Sequence, residues 1–300
     1  MTTLTPASTL CSLLDRSSPV VAPGAFNALF AKLIEEARFP AVYLSGAGVS
    51  NSLLGEPDLG ILTQTEMVAI AERVCEAVDV PVIADGDTGY GGVHNVARTI
   101  RLYERAGVAA IQLEDQVFPK KCGHFEGKEV VATEQMVERI HAAREARSDP
   151  DGILIIARTD ARAPLGLDEA IGRAQRYAEA GADVLFVEAP RSEDELAAVC
   201  SELSEHRLMA NMVEFGKTPL VPAEQLGAMG YSLIIYPGAI TRSIVPAARA
   251  VLGELASEGT TDGWLERMAT FHDVNELLGL DEANRWESSI FERARDGGSE

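Results

Sequence analysis

The sequence predicts a (β/α)8 barrel of the TIM type, α/β in class, with extra helices at its C-terminus. Three observations lead there. Eight short runs rich in Val, Ile, Leu and Ala recur along the chain, and strands this uniformly apolar are buried on both faces, as in a parallel sheet. An amphipathic stretch follows each run, and strand–helix units repeated eight times close into a barrel. A polar or ionisable residue stands at or just past the end of seven consecutive runs, where a barrel of this type keeps its active site.

In order, the predicted strands are Val20–Ala22, Ala41–Leu44, Val82–Ala84, Ala109–Leu113, Ile153–Ala157, Val184–Val187, Arg207–Ala210 and Leu233–Tyr236. The predicted helices are Phe26–Glu36, Thr65–Val78, Val93–Arg105, Thr133–Arg147, Leu167–Ala180, Glu193–Glu205, Ala223–Met229 and Ile240–Ser257. Thr133 is the expected N-cap of one helix and Asp168 lies near the start of another. Gly107 and Gly181 each stand just after a helix and before a strand, where a left-handed residue ends the helix. An open doubly wound sheet is the competing architecture. The barrel is expected over about 19–257 of a single 1–300 domain. A helical tail follows at about 260–295, in two pieces, Trp264–His272 and Glu276–Arg295. Their apolar faces exceed what a barrel needs and suit a neighbouring subunit. The first ~15 and last ~6 residues are expected to be flexible.

Composition excludes several classes. The chain has 300 residues, 46% hydrophobic and 24% charged, and a formal charge of −20. Nucleic acid and anionic membrane are poor partners for such a surface, because phosphate contacts need clustered Lys and Arg. No apolar run reaches the ~18 residues that span a bilayer, and Met1 to Pro19 lacks the basic and apolar blocks of a secretion signal. Cys11, Cys75, Cys122 and Cys200 are widely spaced, without a CxxC pair, so neither a zinc site nor a disulfide framework is indicated. The expected compartment is the cytoplasm.

The polar residues at the strand ends are Ser45, Asp85 with Asp87, Glu114, Arg158 with Asp160, Glu188, Asn211 and Tyr236. Asp85, Asp87 and Glu114 suit Mg²⁺, with Mn²⁺ as the alternative, because such ions take oxygen ligands and Mg²⁺ keeps several waters. The plainer role for Asp85 and Asp87 is to cap the helix that begins near Gly92. The stretch Asp85-Gly86-Asp87-Thr88-Gly89-Tyr90-Gly91-Gly92 is not a dinucleotide motif, since its acids would repel a pyrophosphate. Backbone N–H groups of Ser45-Gly46-Ala47-Gly48 suit a carboxylate or enolate oxygen. Cys122 lies in a long connection between Asp115 and Ala132, of the length that functional lids have, with Gly123 and Gly127 as hinges. Lys120, Lys121 and His124 beside it are expected to lower the thiol pKa and keep it reactive. Cys75 and Cys200 fall in helical patterns and read as structural.

Together these segments resemble the isocitrate lyase/phosphoenolpyruvate mutase superfamily. The resemblance rests on Ser45-Gly46-Ala47-Gly48, Asp58 in GEPDLG, DGDTGYG, QLEDQ, KKCGH, IIARTDA, FVEAP, NMVEFGKTP and YPGAITR, and runs from about Pro23 to Arg242. It implies a barrel whose eighth helix swaps between subunits of a homotetramer. It implies Mg²⁺ near Asp85, Asp87, Glu114 and Asp58. It implies a small carboxylate substrate held by Ser45, Gly46, Ala47, Lys121, Gly123 and Arg158. The KKCGH segment looks like that of lyases that split a carbon–carbon bond, in which the position of Cys122 is the general acid; the chain as a whole is most like 2-methylisocitrate lyases, and His124 and Glu188 are expected to orient and polarise. Tyr43 and Glu188 are both candidates for the base. Asn211, Glu214, Thr218 and Arg242 match the pocket for the second product's carboxylate. The activity implied is Mg²⁺-dependent carbon–carbon cleavage of a 2-hydroxy di- or tricarboxylic acid. For 2-methylisocitrate it gives succinate and pyruvate, in propionate breakdown. Gly86 and Phe125-Glu126-Gly127 depart from the methylisocitrate lyase pattern. They keep two alternatives in view: a carboxyphosphonoenolpyruvate-type phosphonomutase, and a dimethylmalate lyase or oxaloacetate decarboxylase-like enzyme.

Overall fold

The computed structural model describes residues 5–121, 123 and 127–296. Eight parallel strands form one sheet: β1 (Val20–Ala25), β2 (Val42–Leu44), β3 (Val82–Asp85), β4 (Ala110–Glu114), β5 (Leu154–Thr159), β6 (Val184–Val187), β7 (Met209–Asn211) and β8 (Leu233–Tyr236). The order is β6-β5-β4-β3-β2-β1-β8-β7. The pairing Val20↔Leu233 joins the first strand to the last, and a single parallel bridge, Leu185↔Leu208, joins the two ends of that order. The sheet therefore closes into a (β/α)8 barrel, and the open doubly wound alternative is excluded.

The helices are α1 (Pro6–Leu14), α2 (Ala28–Glu36), α3 (Gly46–Val49), α4 (Gln64–Ala77), α5 (Val93–Arg105), α6 (Thr133–Ala146), α7 (Arg162–Leu165), α8 (Leu167–Glu179), α9 (Glu193–Glu202), α10 (Ala223–Met229), α11 (Ala239–Glu258), α12 (Phe271–Leu277) and α13 (Leu280–Asp296). Every predicted strand and barrel helix is present, within a few residues at each end. Gly107 and Gly181 have φ of 88° and 95°. Each ends its helix by donating back into it, Gly107 to Glu104 and Gly181 to Ala178, as left-handed glycine does after a helix. Thr133 is not the cap of α6: Ala132 holds that position and Thr133 is already helical. Asp168 lies in the first turn of α8, where a carboxylate meets the positive end of the helix dipole. The two predicted tail helices are instead a 3-10 turn, Asp262–Arg267, followed by α12 and α13. Thr270 starts α12 with a capping box, and Gly279 at φ 76° separates α12 from α13.

Residues 6–14, expected to be flexible, form helix α1 instead. Thr5 accepts a hydrogen bond from Ser8 N, and Pro6 occupies the first turn, where its missing N–H costs nothing. Leu10 and Leu14 of α1 are buried in the core cluster with residues from the strand starts, among them Ala41, Ala109, Leu154, Val184, Met209 and Leu233. Helix α1 thus plugs the bottom of the barrel. Leu10→Ala should lower stability by about 2–5 kcal/mol, the usual cost of emptying a closed site. Chemical denaturation checks it.

The chain divides into two compact units, Met1–Arg242 and Ser243–Glu300. The first holds all eight strands. In the second, Phe271, Trp286 and Phe291 are exposed. Among the described residues no helix is long and apolar enough to cross a membrane.

Candidate active site

Strand β2 delivers Tyr43 and is followed by Ser45, whose Oγ caps α3 by accepting from Gly48 N at 3.1 Å. Tyr43 donates its hydroxyl to Gln112 Oε1 of β4 at 3.1 Å. Gln112 Nε2 reaches Asp85 Oδ1 at 3.4 Å, and Asp87 N donates to the same oxygen at 3.1 Å. The other carboxylate oxygen of Asp85 turns toward Gly46, where an added Cβ would lie 2.8 Å from it. Burial and the neighbouring Asp87 push the Asp85 carboxyl up to about 6, against the pull of Lys120 and Arg158. Burial also raises the Tyr43 hydroxyl well above its ordinary value, with Asp85 adding to it.

Asp87 has φ 47° and Tyr90 φ 60°, so the loop after β3 turns sharply through left-handed backbone. Neither Asp85 nor Asp87 caps α5, whose cap position is Gly92 with no side-chain bond. The capping role is thereby ruled out. Gly86 is packed against β4: a Cβ would sit 2.7 Å from Ile111 Cδ1 and 2.9 Å from the Gln112 carbonyl. No larger residue fits there without moving Ile111.

Lys120 lies in the long β4–α6 connection and is buried. Its ammonium contacts Asp58 Oδ1 at 2.5 Å and Asp87 Oδ1 at 2.7 Å. Burial lowers its pKa, but Asp87, Asp85 and Asp58 more than reverse this and hold it well above the ordinary value. Lys120 is therefore committed to these carboxylates; its expected effect on the Cys122 thiol falls on a residue outside those described. Lys121 Nζ donates to the Gly127 carbonyl at 2.9 Å, and Lys121 does not line the central cavity. Cys122 and His124 lie outside the described residues.

Arg158 is the organising cation. It lies at the end of β5 and grips Asp160 with two bonds, Nε to Oδ2 at 2.9 Å and Nη2 to Oδ1 at 3.0 Å. Its Nη1 is 3.2 Å from Glu114 Oε2, its Nη2 is 4.0 Å from Glu188 Oε1, and its guanidinium stacks 5.5 Å over the Phe186 ring. Burial would raise Asp160, but Arg158 and Lys128 hold it down at about 2. Burial raises Glu114 well above the usual carboxylate range, and Arg158 only partly offsets it. Asn211 Nδ2 donates to Glu188 at 3.3–3.4 Å. Arg242 Nη1 donates to the Glu214 carbonyl at 2.6 Å and to its Oε2 at 3.1 Å. Thr218 is buried nearby in sequence, with an Oγ1 that has no hydrogen-bond partner.

These elements enclose a cavity of about 130 Å³ at the C-terminal mouth of the barrel. Of the residues singled out in the sequence, Tyr43, Ser45, Ala47, Asp58, Asp85, Gly123, Arg158, Glu188, Asn211 and Arg242 line it. Gly46, Asp87 and Glu114 lie behind the lining, and Glu214 and Thr218 are not part of it. Asp115, next to Glu114, serves the fold: it accepts from Thr159, Tyr177 and the backbone of Asp160 at 2.8 Å and from Arg173 at 3.2 Å. Sequence reasoning missed Gln112 and Lys128. Gln112 precedes Glu114 by two residues on one strand, hence on one face, a usable signal. Lys128 carried none, because a buried lysine and a solvated one look alike in a loop.

No group of three Asp, Glu, His or Cys side chains is set to hold a metal directly among the described residues. Lys120 separates Asp58 from Asp87 and Arg158 takes up Glu114, so the expected carboxylate cluster is broken up by cations. The site still fits a hard divalent ion. Six carboxylates (Asp58, Asp85, Asp87, Glu114, Asp160, Glu188) face three cations (Lys120, Lys128, Arg158), and Glu114 Oε1 is buried without a hydrogen-bond partner. Extra positive charge with oxygen affinity suits that surplus.

A parallel barrel with acids and a clamped arginine at the C-terminal strand ends defines an enzyme for a small anionic substrate. The family model for phosphoenolpyruvate phosphomutase matches residues 10–256, and the chain belongs to the phosphoenolpyruvate mutase/isocitrate lyase superfamily. It is 50% identical to 2,3-dimethylmalate lyase of Eubacterium barkeri, over 92% of this chain and 94% of that one. It is 42% identical to 2-methylisocitrate lyase of Aeropyrum pernix, over 97% of this chain and 93% of that one. A crystal structure of a 2,3-dimethylmalate lyase superposes with TM-score 0.91 at 39% identity, covering 96% of both chains. Carbon–carbon cleavage, the reaction class the resemblance implied, fits these relatives and the pocket.

Proposed function

We propose that the protein cleaves the C2–C3 bond of a 2-hydroxy acid, with 2-methylisocitrate, which yields pyruvate and succinate, as the leading substrate. The observation that carries this is Arg158, clamped by Asp160 and opening into a cavity beside Asp85 and Glu188, with Arg242 on the same cavity. Two arginines on one small cavity suit an acid with a carboxylate at each end.

Arg158 and the backbone amides of Gly46 and Ala47 hold the pyruvate half. Tyr43 keeps its proton at neutral pH, because burial raises it, so Glu188 is the base that takes the C2 hydroxyl proton. The C2–C3 bond then breaks, leaving a C2 carbonyl and an electron pair on C3 next to a carboxylate. Cys122 gives its proton to C3. Arg242 receives the second product's carboxylate. A divalent cation, when bound, supplies positive charge to the oxygens of the reacting half, and Asp85, with Asp58, Asp87 and Glu114, would hold it; Mg²⁺ is the proposed ion.

A second reading is favoured by the 50% identical relative: 2,3-dimethylmalate, which carries a methyl group where 2-methylisocitrate carries a carboxymethyl arm. The Arg242–Glu214 pair bears on the choice, because an arginine already neutralised by Glu214 attracts the extra carboxylate less. The test is pyruvate release from each acid by purified protein, with Mg²⁺ and then with chelator. Faster, chelator-sensitive release from 2-methylisocitrate supports the leading reading. Faster release from dimethylmalate moves the assignment to the second, and release from neither, by folded protein, sinks both. We further place the protein in the cytoplasm, in propionate breakdown, as a helix-swapped homotetramer. Support for the assembly is the exposed Phe271, Trp286 and Phe291 of the C-terminal unit, and light scattering tests it.

A further inference from the structure

We propose that Lys128 is a positioning residue of this site: its buried ammonium ties the carbonyl of Gly123 to Asp160, and so sets Gly123, which lines the cavity, against the carboxylate that orients Arg158. The proposal rests on the lyase reading above and goes beyond it.

The Lys128 side chain is 1% exposed, and its Nζ lies 2.6 Å from Asp160 Oδ1 and 2.5 Å from the Gly123 carbonyl. That Asp160 oxygen also accepts from Arg158 Nη2. One carboxylate is thus shared between the arginine of the pocket and the lysine of the loop. Gly123 is packed so tightly that an added Cβ would overlap Glu188 Oε1 and come within 2.5 Å of Arg158 Nη2. Only glycine fits at this point of the site, and its backbone lies directly against both groups. Lys128 is itself placed by a short antiparallel ribbon at the loop's base: Gln116 bridges Val130, Val117 N donates to Glu129 O at 2.9 Å, and Val131 N donates to Asp115 O at 2.8 Å. Lys128 does not line the cavity, so it acts through Gly123 and Asp160.

Removing one partner of a buried ion pair ordinarily destabilises, because the other charge is left uncompensated; here Asp160 keeps two bonds from Arg158, which limits that loss. What the ammonium adds is directed geometry at two points, and a displacement of about 1 Å at a reacting site can cost roughly 100-fold in rate.

The experiment compares wild type with K128M and K128R as full-length proteins. It reads kcat and KM for pyruvate release from 2-methylisocitrate and 2,3-dimethylmalate, the thermal midpoint, and Lys-C cleavage after Lys121, whose backbone Gln116 pins on both sides. Expected for K128M are a fall in kcat of about 30- to 100-fold, a lowered thermal midpoint in a protein still folded at the assay temperature, and faster cleavage after Lys121. K128R, which keeps a donor, should lose less. A kcat within about twofold of wild type, or an unchanged cleavage rate, overturns the proposal. So does a K128M protein that fails to fold, because the ammonium would then serve the fold. If wild type converts neither acid, the lyase reading falls, while the cleavage comparison still decides whether Lys128 holds the loop.

Discussion

Arg158→Lys should lower kcat/KM by roughly 10²- to 10³-fold, the usual cost of losing a preorganised donor at a developing charge. The guanidinium meets Asp160 with two parallel bonds, reaches Glu114 and lies flat on Phe186. A lysine is a point charge on a flexible stem; it cannot fork and cannot stack in this way. Steady-state kinetics of pyruvate release measures the loss, and a variant within about fivefold of wild type would remove Arg158 from the centre of the site. Stability should report the same clamp. Asp160 is held at about 2, below its ordinary value, so it stabilises the folded state at higher pH, and that contribution is lost as pH falls through about 2. Weakening the clamp returns the Asp160 pKa toward normal. The gap in unfolding free energy between wild type and variant should therefore be widest above about pH 4 and narrow as the pH drops toward 2. A gap independent of pH would show that the clamp does not set the charge of Asp160.

Cys122→Ser should reduce kcat by about 10²- to 10⁴-fold, the range for a lost general acid, while KM changes little. A serine hydroxyl has nearly the volume of the thiol but far weaker acidity, so substrate still binds and C3 lacks its proton donor. The protein supplies its own controls. Burial pushes the Cys75 thiol up to about 12 and Cys200 to about 11, so both stay protonated at neutral pH. Iodoacetamide at neutral pH should thus modify Cys122 well before either, as peptide mass analysis would show, and inactivate in step. Near-normal turnover by the serine variant would refute the acid role.

The barrel was legible in the sequence because its signals are local and repeated. Val184–Val187 and Leu233–Tyr236 are buried on both faces and so are uniformly apolar, and the strand and helix periods alternate eight times. Helix α1 was misjudged for the opposite reason. Its Thr5-Pro6 start and its Leu10 and Leu14 look like a loose terminus until the barrel supplies an open end for them to plug. The tail was read correctly as helical, but its breaks were misplaced, since Gly279 looked no different from an ordinary small residue.

The site divides along the same line. Residue type and position at the strand ends singled out Ser45, Asp85, Arg158, Glu188 and Asn211, because a parallel barrel sends every strand's end to one mouth. Sequence by itself determined the scaffold, the chemistry available at that mouth and the family. Only the tertiary structure decided who pairs with whom. Lys120 belongs to Asp58 and Asp87, Lys121 donates to Gly127, and Lys128, which carried no signal, holds Asp160. Such pairing depends on distances between segments remote in the chain and on the cost of burying each charge alone, and neither quantity is written in local sequence.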